Sequence, residues 1–212
     1  MDGDIYYDST LNKFRGYQNG AWEDLVGGSG SGSGINYVTN PDFEDGLTDV
    51  TTDGSGNVAI SLETSDPLRG SQSLNIAVNT AANPSQYAEL AMDTVDNVDI
   101  DSPQEMVVSF DYYTDSVVDE YPLKVYVRRN DAPAADIELF SPANGLISAS
   151  TFKTRFVGKV RLESSASDYS LRFRVGTGVS ATRNIKIDNV RVGPNTELDE
   201  PKGFINYIKN LA

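Results

Sequence analysis

Ser170-Leu171-Arg172-Phe173-Arg174-Val175 carries an apolar side chain at every second position and a polar one between. A period of two belongs to an extended strand with one face toward a core and the other toward water. The same rhythm runs through Met106/Val108/Phe110/Tyr112 and Leu123/Val125/Val127. Further strand-length candidates span 57–62, 73–78, 86–92, 135–140, 151–162 and 184–192, separated by clusters such as Thr52-Asp53-Gly54-Ser55-Gly56-Asn57. Roughly ten short strands with turn signals and no helical pattern between them predict an antiparallel sandwich, most simply a jelly roll. A parallel sheet would require crossover helices. The predicted fold is all-β, with the jelly roll over residues 35–195.

Outward toward the N-terminus, Gly27 to Gly34 reads GGSGSGSG. Such a tract builds no core and behaves as a flexible linker; it occurs naturally between fibre modules and also as a fusion scar. Before it stand three aromatic-rich runs, 4–8, 13–18 and 21–25, the last two separated by Asn19-Gly20. Asn-Gly suits both positive-φ positions of a type I′ hairpin, so 1–26 is expected to form a three-stranded meander. A unit this small buries too little apolar surface to fold alone. Tyr6, Phe14, Tyr17 and Trp22 therefore need cover, either from the large domain or from further copies of the chain.

At the other end, Phe204, Ile208 and Leu211 recur at helical spacing and Pro201 suits a first helical turn, so 196–212 is expected to be a tail with a short helix. It would pack on its own sandwich or dock on a neighbouring subunit.

The 212 residues include 17 Lys and Arg against 31 Asp and Glu, a formal charge of -14. That balance repels phosphate backbones and anionic membranes, so neither nucleic acid nor membrane is an expected partner. No apolar run approaches the roughly 18 residues of a membrane span, and Met1-Asp2-Gly3-Asp4 does not open like a signal peptide. With no histidine and no cysteine, thiolate and imidazole zinc sites, Ser-His-Asp and Cys-His catalysis and disulfides are excluded. Carboxylate, hydroxyl, Lys/Arg and backbone chemistry remain.

Two resemblances add to this reading. Gly3-Asp4-Ile5-Tyr6-Tyr7-Asp8, Asn12-Lys13-Phe14-Arg15-Gly16-Tyr17 and Asn19-Gly20-Ala21-Trp22 together resemble the aromatic meander of bacteriophage tail-fibre and other virion fibre proteins. That likeness implies a connector in a trimeric shaft, hence a homotrimer whose three copies bury Tyr6, Phe14, Tyr17 and Trp22 against each other. It also implies location on a virion and contact with other virion proteins. Asn40-Pro41-Asp42-Phe43-Glu44-Asp45-Gly46, Gly70-Ser71-Gln72-Ser73-Leu74 and Ile187-Asp188-Asn189-Val190-Arg191-Val192 are similar to signatures of carbohydrate-binding-module jelly rolls of the xylan- and glucan-binding type. This second likeness implies a structural calcium (Ca2+) at Glu44 and Asp188, with backbone carbonyls near Gly70 and Ser71, and a polysaccharide ligand. Those modules usually carry a tryptophan on the sugar face; the only one here, Trp22, lies outside the stretch.

Around Asp188 the apolar parity changes: Ile185 and Ile187 share one parity, Val190 and Val192 the other. A bulge with one extra residue would produce that switch and place Asp188 and Asn189 at the kink. Asp188 then either helps hold calcium, which takes six to eight oxygens, or accepts backbone hydrogen bonds or an arginine.

Parity also assigns an outward set: Tyr87, Glu89, Asp111, Tyr113, Lys124, Tyr126, Arg128, Arg172 and Arg174. From it Tyr87, Asp111, Tyr113, Tyr126, Arg128 and Arg172 are the candidate ligand-binding residues. Tyrosines beside forked arginines and carboxylates suit sugars, and suit a subunit interface as well. Carboxylate pairs such as Glu89 with Asp111 arise by chance among so many acids, and neither a Ser-Lys nucleophile motif nor a phosphate-binding glycine loop is present, so no enzyme is expected. The expected function is a non-enzymatic phage virion fibre or adhesion protein whose jelly-roll head binds a host cell-surface polysaccharide. Two alternatives stay open: a purely structural or decorating virion protein, and a carbohydrate-binding module of a secreted polysaccharide-degrading enzyme.

Overall fold

The computed structural model describes residues 5–8, 13–18, 21–24, 36–93, 104–163 and 168–194. The chain divides into two units, Met1–Ile35 and Asn36–Ala212. In the first, β1 (Ile5–Asp8), β2 (Lys13–Gln18) and β3 (Ala21–Asp24) form an antiparallel sheet in that order. Tyr7 lies opposite Phe14, Tyr6 opposite Arg15 and Tyr17 opposite Trp22. The backbone is thus the predicted meander. The side-chain cover of Tyr6, Phe14, Tyr17 and Trp22, the Gly/Ser tract 27–34 and the helix expected in 196–212 fall outside the described residues.

The second unit is a jelly-roll sandwich. Its strands are β4 (Val50–Thr52), β5 (Val58–Glu63), β6 (Ser73–Val78), β7 (Tyr87–Ala91), β8 (Gln104–Thr114), β9 (Leu123–Arg129), β10 (Ala135–Glu138), β11 (Leu146–Ile147), β12 (Thr154–Leu162), β13 (Tyr169–Val175) and β14 (Arg183–Pro194). One sheet runs β10-β9-β13-β7-β4, with β11 also paired to β9; the other runs β12-β8-β14-β6-β5. All pairings are antiparallel. The two-residue β11 and three-residue β4 are too short to carry an alternation, which is why the sequence pattern missed them. Among the described residues no helix is long and apolar enough to cross a membrane.

The period of two translates directly into burial. Leu171, Phe173 and Val175 are buried in the core while Arg172 and Arg174 between them keep partial access to water. Phe110 of β8 stacks on Phe156 of β12, ring centroids 4.7 Å apart, and meets Phe173 of the facing sheet edge-on at 5.2 Å. Each fully buried ring of this kind contributes about 1.5–3 kcal/mol through the surface it removes from water. That cluster locks the two sheets together.

The parity switch is a bulge, as its sequence predicts. Asp188 pairs with Asp111 and Arg191 with Ser109, so β14 carries one residue more than β8 across that interval. Asn189 absorbs it with φ of 50°. Ile185, Ile187, Val190 and Val192 consequently all reach the core.

Topology corrects one expectation. Tyr87, Tyr126, Arg128 and Arg172 belong to the β10–β4 sheet, whereas Asp111 and Tyr113 belong to β8 in the other sheet. The candidate ligand set therefore divides between two opposite outer faces. Alternation reports whether a side chain faces in or out; it does not report which sheet its strand joins.

Candidate functional site

The outer face of the β10–β4 sheet is built in rows by register. Thr51, Glu89, Arg172, Tyr126 and Glu138 lie side by side across β4, β7, β13, β9 and β10. The adjoining row holds Ala91, Ser170, Arg128 and Asp136; on the other flank Tyr87, Arg174 and Lys124 line up.

Charged side chains within these rows pair with each other. Arg172 donates to Glu89 Oε2 from Nε at 2.9 Å and from Nη2 at 2.5 Å, and the Ser170 hydroxyl donates to Oε1. Asp136 accepts from Arg174 Nη1 at 2.5 Å, Arg128 Nη1 at 3.3 Å and Arg172 Nη1 at 3.4 Å. Arg174 is further tied to the Pro84 carbonyl through Nε and Nη2. With only 12% of the Arg172 side chain exposed against 17% for Glu89 and 19% for Asp136, these pairs are screened less than ordinary surface pairs. The forks and carboxylates are held in fixed positions before any ligand arrives.

The tyrosines are engaged as well. The Arg172 guanidinium sits 3.7 Å from the centroid of the Tyr87 ring, and that of Arg174 5.1 Å from Tyr126. One face of each ring is thereby covered, as cation–π contacts require. Tyr126 is buried; its burial, followed by the Glu138 charge, pushes its hydroxyl above the usual tyrosine value. Ring stacking on these two residues is restricted, while hydrogen bonding from Arg172, Arg174, Arg128, Glu89 and Asp136 is pre-arranged. Beside Glu89 a cavity of about 250 Å³ is lined by Thr51, Ser170, Asp49, Asn130 and Asp168, with Ala91, Met92 and Tyr169 supplying apolar wall.

On the opposite outer face, Asp111 and Asp188 stand directly across from one another. They are 3% and 1% exposed. Arg69 Nε donates to Asp111 at 2.5 Å, Arg155 Nη1 at 3.1 Å, and Lys153 Nζ lies 3.6 Å away. Burial pushes the Asp111 carboxyl up, but the Arg69 and Arg155 hydrogen bonds outweigh it and hold the group below its usual value. For Asp188 burial wins, and its carboxyl is raised. Tyr113, on the same face, has Lys186 Nζ 5.4 Å from its ring centroid.

Glu44 and Asp188, the expected calcium ligands, both grip one loop. Asp188 accepts from the Arg69 N–H at 2.7 Å, the Ser73 hydroxyl at 2.9 Å and the Asn189 N–H at 2.6 Å. Glu44 accepts from the Ser71 N–H at 2.8 Å, the Gln72 N–H at 3.2 Å and the Ser71 hydroxyl. Each of the four carboxylate oxygens faces an N–H or O–H donor, and among the described residues no three acids gather around one point. Calcium wants six to eight oxygens. As arranged, the donors fit a hydrogen-bonded clasp on loop 68–73 and do not fit the ion. Gly70, with φ of 55°, lets the loop pass against Glu44, because a Cβ there would collide with Oε1.

Asp136 and Ser170 are the participants that sequence reasoning missed. Asp136 gathers three arginines only because β10 pairs with β9 in a register that sets it opposite Arg128. Its one sequence signal is that it alternates with Ala135 and Ile137 in a predicted strand.

Comparison with known proteins bears on the architecture. The CBM22-1 xylan-binding domain of Xyn10C from Paenibacillus barcinonensis superposes with a TM-score of 0.56 at 17% identity, covering 78% of this chain and 97% of that domain. The second unit shares the jelly-roll fold of that domain. A putative sugar binding protein from Bacteroides thetaiotaomicron gives 0.55 at 11% identity over 76% of this chain and all of that one (100%). The enzymatically active domain of tailspike protein 4 of bacteriophage CBA120 gives 0.52 at 16% identity, over 76% of this chain but 21% of the tailspike chain. No protein-family model matches the sequence, and no curated protein does.

Proposed function

We propose that the protein is a non-enzymatic carbohydrate-binding module that recognises a polysaccharide on the outer face of the β10–β4 sheet. The observation that carries this is the Glu89–Arg172–Asp136–Arg174 network, forked donors and carboxylates joined across three neighbouring rows on a fold shared with a xylan-binding domain. Sugar hydroxyls take paired hydrogen bonds from groups of this kind, and groups already held in place lose little conformational freedom on binding. With Tyr87 and Tyr126 partly covered by arginines, recognition is led by hydrogen bonds and is correspondingly weak. A glycan array followed by affinity electrophoresis tests the reading; a blank array, with no polysaccharide retarding the protein, would overturn it.

The module is further proposed to be the head of a trimeric phage fibre, located on the virion and attached through the 1–26 meander to other virion proteins. A phage tailspike that contains a stretch of the same fold, over 21% of its chain, and the aromatic content of the meander support this. Mass photometry of the full chain and of a chain lacking residues 1–25 checks it: trimer for the first, monomer for the second. A purely structural or decorating role is favoured by a different observation, the exposed Phe152 (79%) and Val118 (70%), apolar side chains that a protein neighbour would cover. The same array decides between the two.

A further inference from the structure

The cavity beside Glu89 has a one-sided charge. Its charged lining residues are Asp49, Glu89 and Asp168, and neither Lys nor Arg is among the rest. Arg172 cancels Glu89 through two hydrogen bonds. Asp168 uses one oxygen, Oδ1, for the Asn130 amide at 3.2 Å, and the Asp49 carboxylate has no hydrogen bond or ion pair among the described residues. The Asp49 backbone is held in place, since its carbonyl accepts the Ala91 N–H at 2.9 Å. Asp49 and Asp168, whose carboxylates have no cationic partner among the described residues, thus line a pocket that also includes Thr51 and an apolar wall containing Met92 and Tyr169.

A mixed lining of apolar surface and a few convergent polar groups is what small-molecule sites have. At about 250 Å³ the cavity is below the range of drug-sized sites and suits a single sugar residue. The charge then sets the class of sugar. A uronic acid would bring a third uncompensated anion to Asp49 and Asp168, whereas a protonated amine would pair with them.

We infer that this cavity selects a sugar residue carrying a protonated amine and rejects uronic acids. The inference rests on the proposed sugar-binding role of the β10–β4 face and names its ligand class. The test titrates the full chain calorimetrically with three defined oligomers of equal length: glucosamine, N-acetylglucosamine and galacturonate. Mildly acidic pH keeps the amine protonated. The glucosamine oligomer is expected to bind about tenfold more tightly than the acetylated one, and the uronate not at all. Asp49 and Asp168 are exposed, so the double variant Asp49→Asn/Asp168→Asn should fold normally; it is expected to lose the preference for the amine over the acetylated oligomer. Galacturonate binding as tightly as the others, or an unchanged order in the variant, would overturn the charge selection and leave the sugar-binding face standing. If none of the oligomers binds and a glycan array is also blank, both readings fall together.

Discussion

The two outer faces of the sandwich use the same residue types for opposite ends. On the β10–β4 face, Glu89 and Asp136 are bound by side chains of neighbouring strands, and the network stays at the surface. On the β12–β5 face, Asp188 holds backbone N–H groups of Arg69 and Asn189, and a loop closes over it. A carboxylate paired with side chains can exchange a partner for a ligand hydroxyl. One that satisfies backbone donors cannot leave without stranding them. The first face is therefore suited to recognition and the second to holding the fold.

Substitutions should separate the faces most sharply at Asp188. Asp188→Ala strands two N–H groups and the Ser73 hydroxyl, each worth about 1–3 kcal/mol if left unpaired. Denaturant unfolding is expected to show that loss while affinity electrophoresis of the remaining folded protein is unchanged. A variant of wild-type stability would mean that the loop is not clasped.

Acid titration gives the next largest effect. Glu44, Glu63, Asp111 and Asp119 are all held below their usual values, Glu63 down to about 2 first by the Ser65 hydroxyl and then by the Asp66 N–H. The unfolded chain therefore binds more protons at these groups. Their contribution is present above about pH 4.5 and is lost as the pH falls toward about 2. Asp188 acts in the opposite sense: its raised carboxyl takes up a proton more readily when folded, which favours the native state as the solution becomes acidic. The melting temperature is expected to fall on acidification, and to fall more steeply in Asp188→Asn. Equal slopes would remove the opposite sign assigned to Asp188.

Arg172→Ala reverses the pattern expected at Asp188. It leaves Glu89 with Ser170, a side chain still partly open to water, so the stability cost is about 1 kcal/mol. Polysaccharide affinity, by contrast, is expected to drop about tenfold or more. Smallest of all is the effect of chelation. Because the oxygens of Glu44 and Asp188 face N–H and O–H donors, EGTA is expected to leave the melting temperature where it is. A clear fall, restored by added calcium, would place the ion at Glu44 and Asp188 and require the loop to turn its carbonyls inward.

Much of this comparison was legible before any fold was known. Alternation at 170–175 separated Arg172 and Arg174 from Leu171 and Phe173, and the parity change between Ile187 and Val190 located the bulge and Asp188 upon it. The clasp was half visible, since Glu44, Gly70, Ser71 and Asp188 all fell in motifs, although the partners of the two carboxylates turned out to be backbone N–H groups and serine hydroxyls. What stayed hidden was company. Nothing in the order of residues says that Asp136 sits under three arginines, or that Asp111 turns its back on Tyr87.

The sequence by itself determined which side chains enter the core, because a strand's period of two is a local property of the backbone. Tertiary structure alone decided which outward residues share a face, since sheet membership and register come from pairings between distant segments. The contact of Arg69 with Asp188, 119 residues apart, is one such pairing. It forms only when many weak, non-local contacts close together.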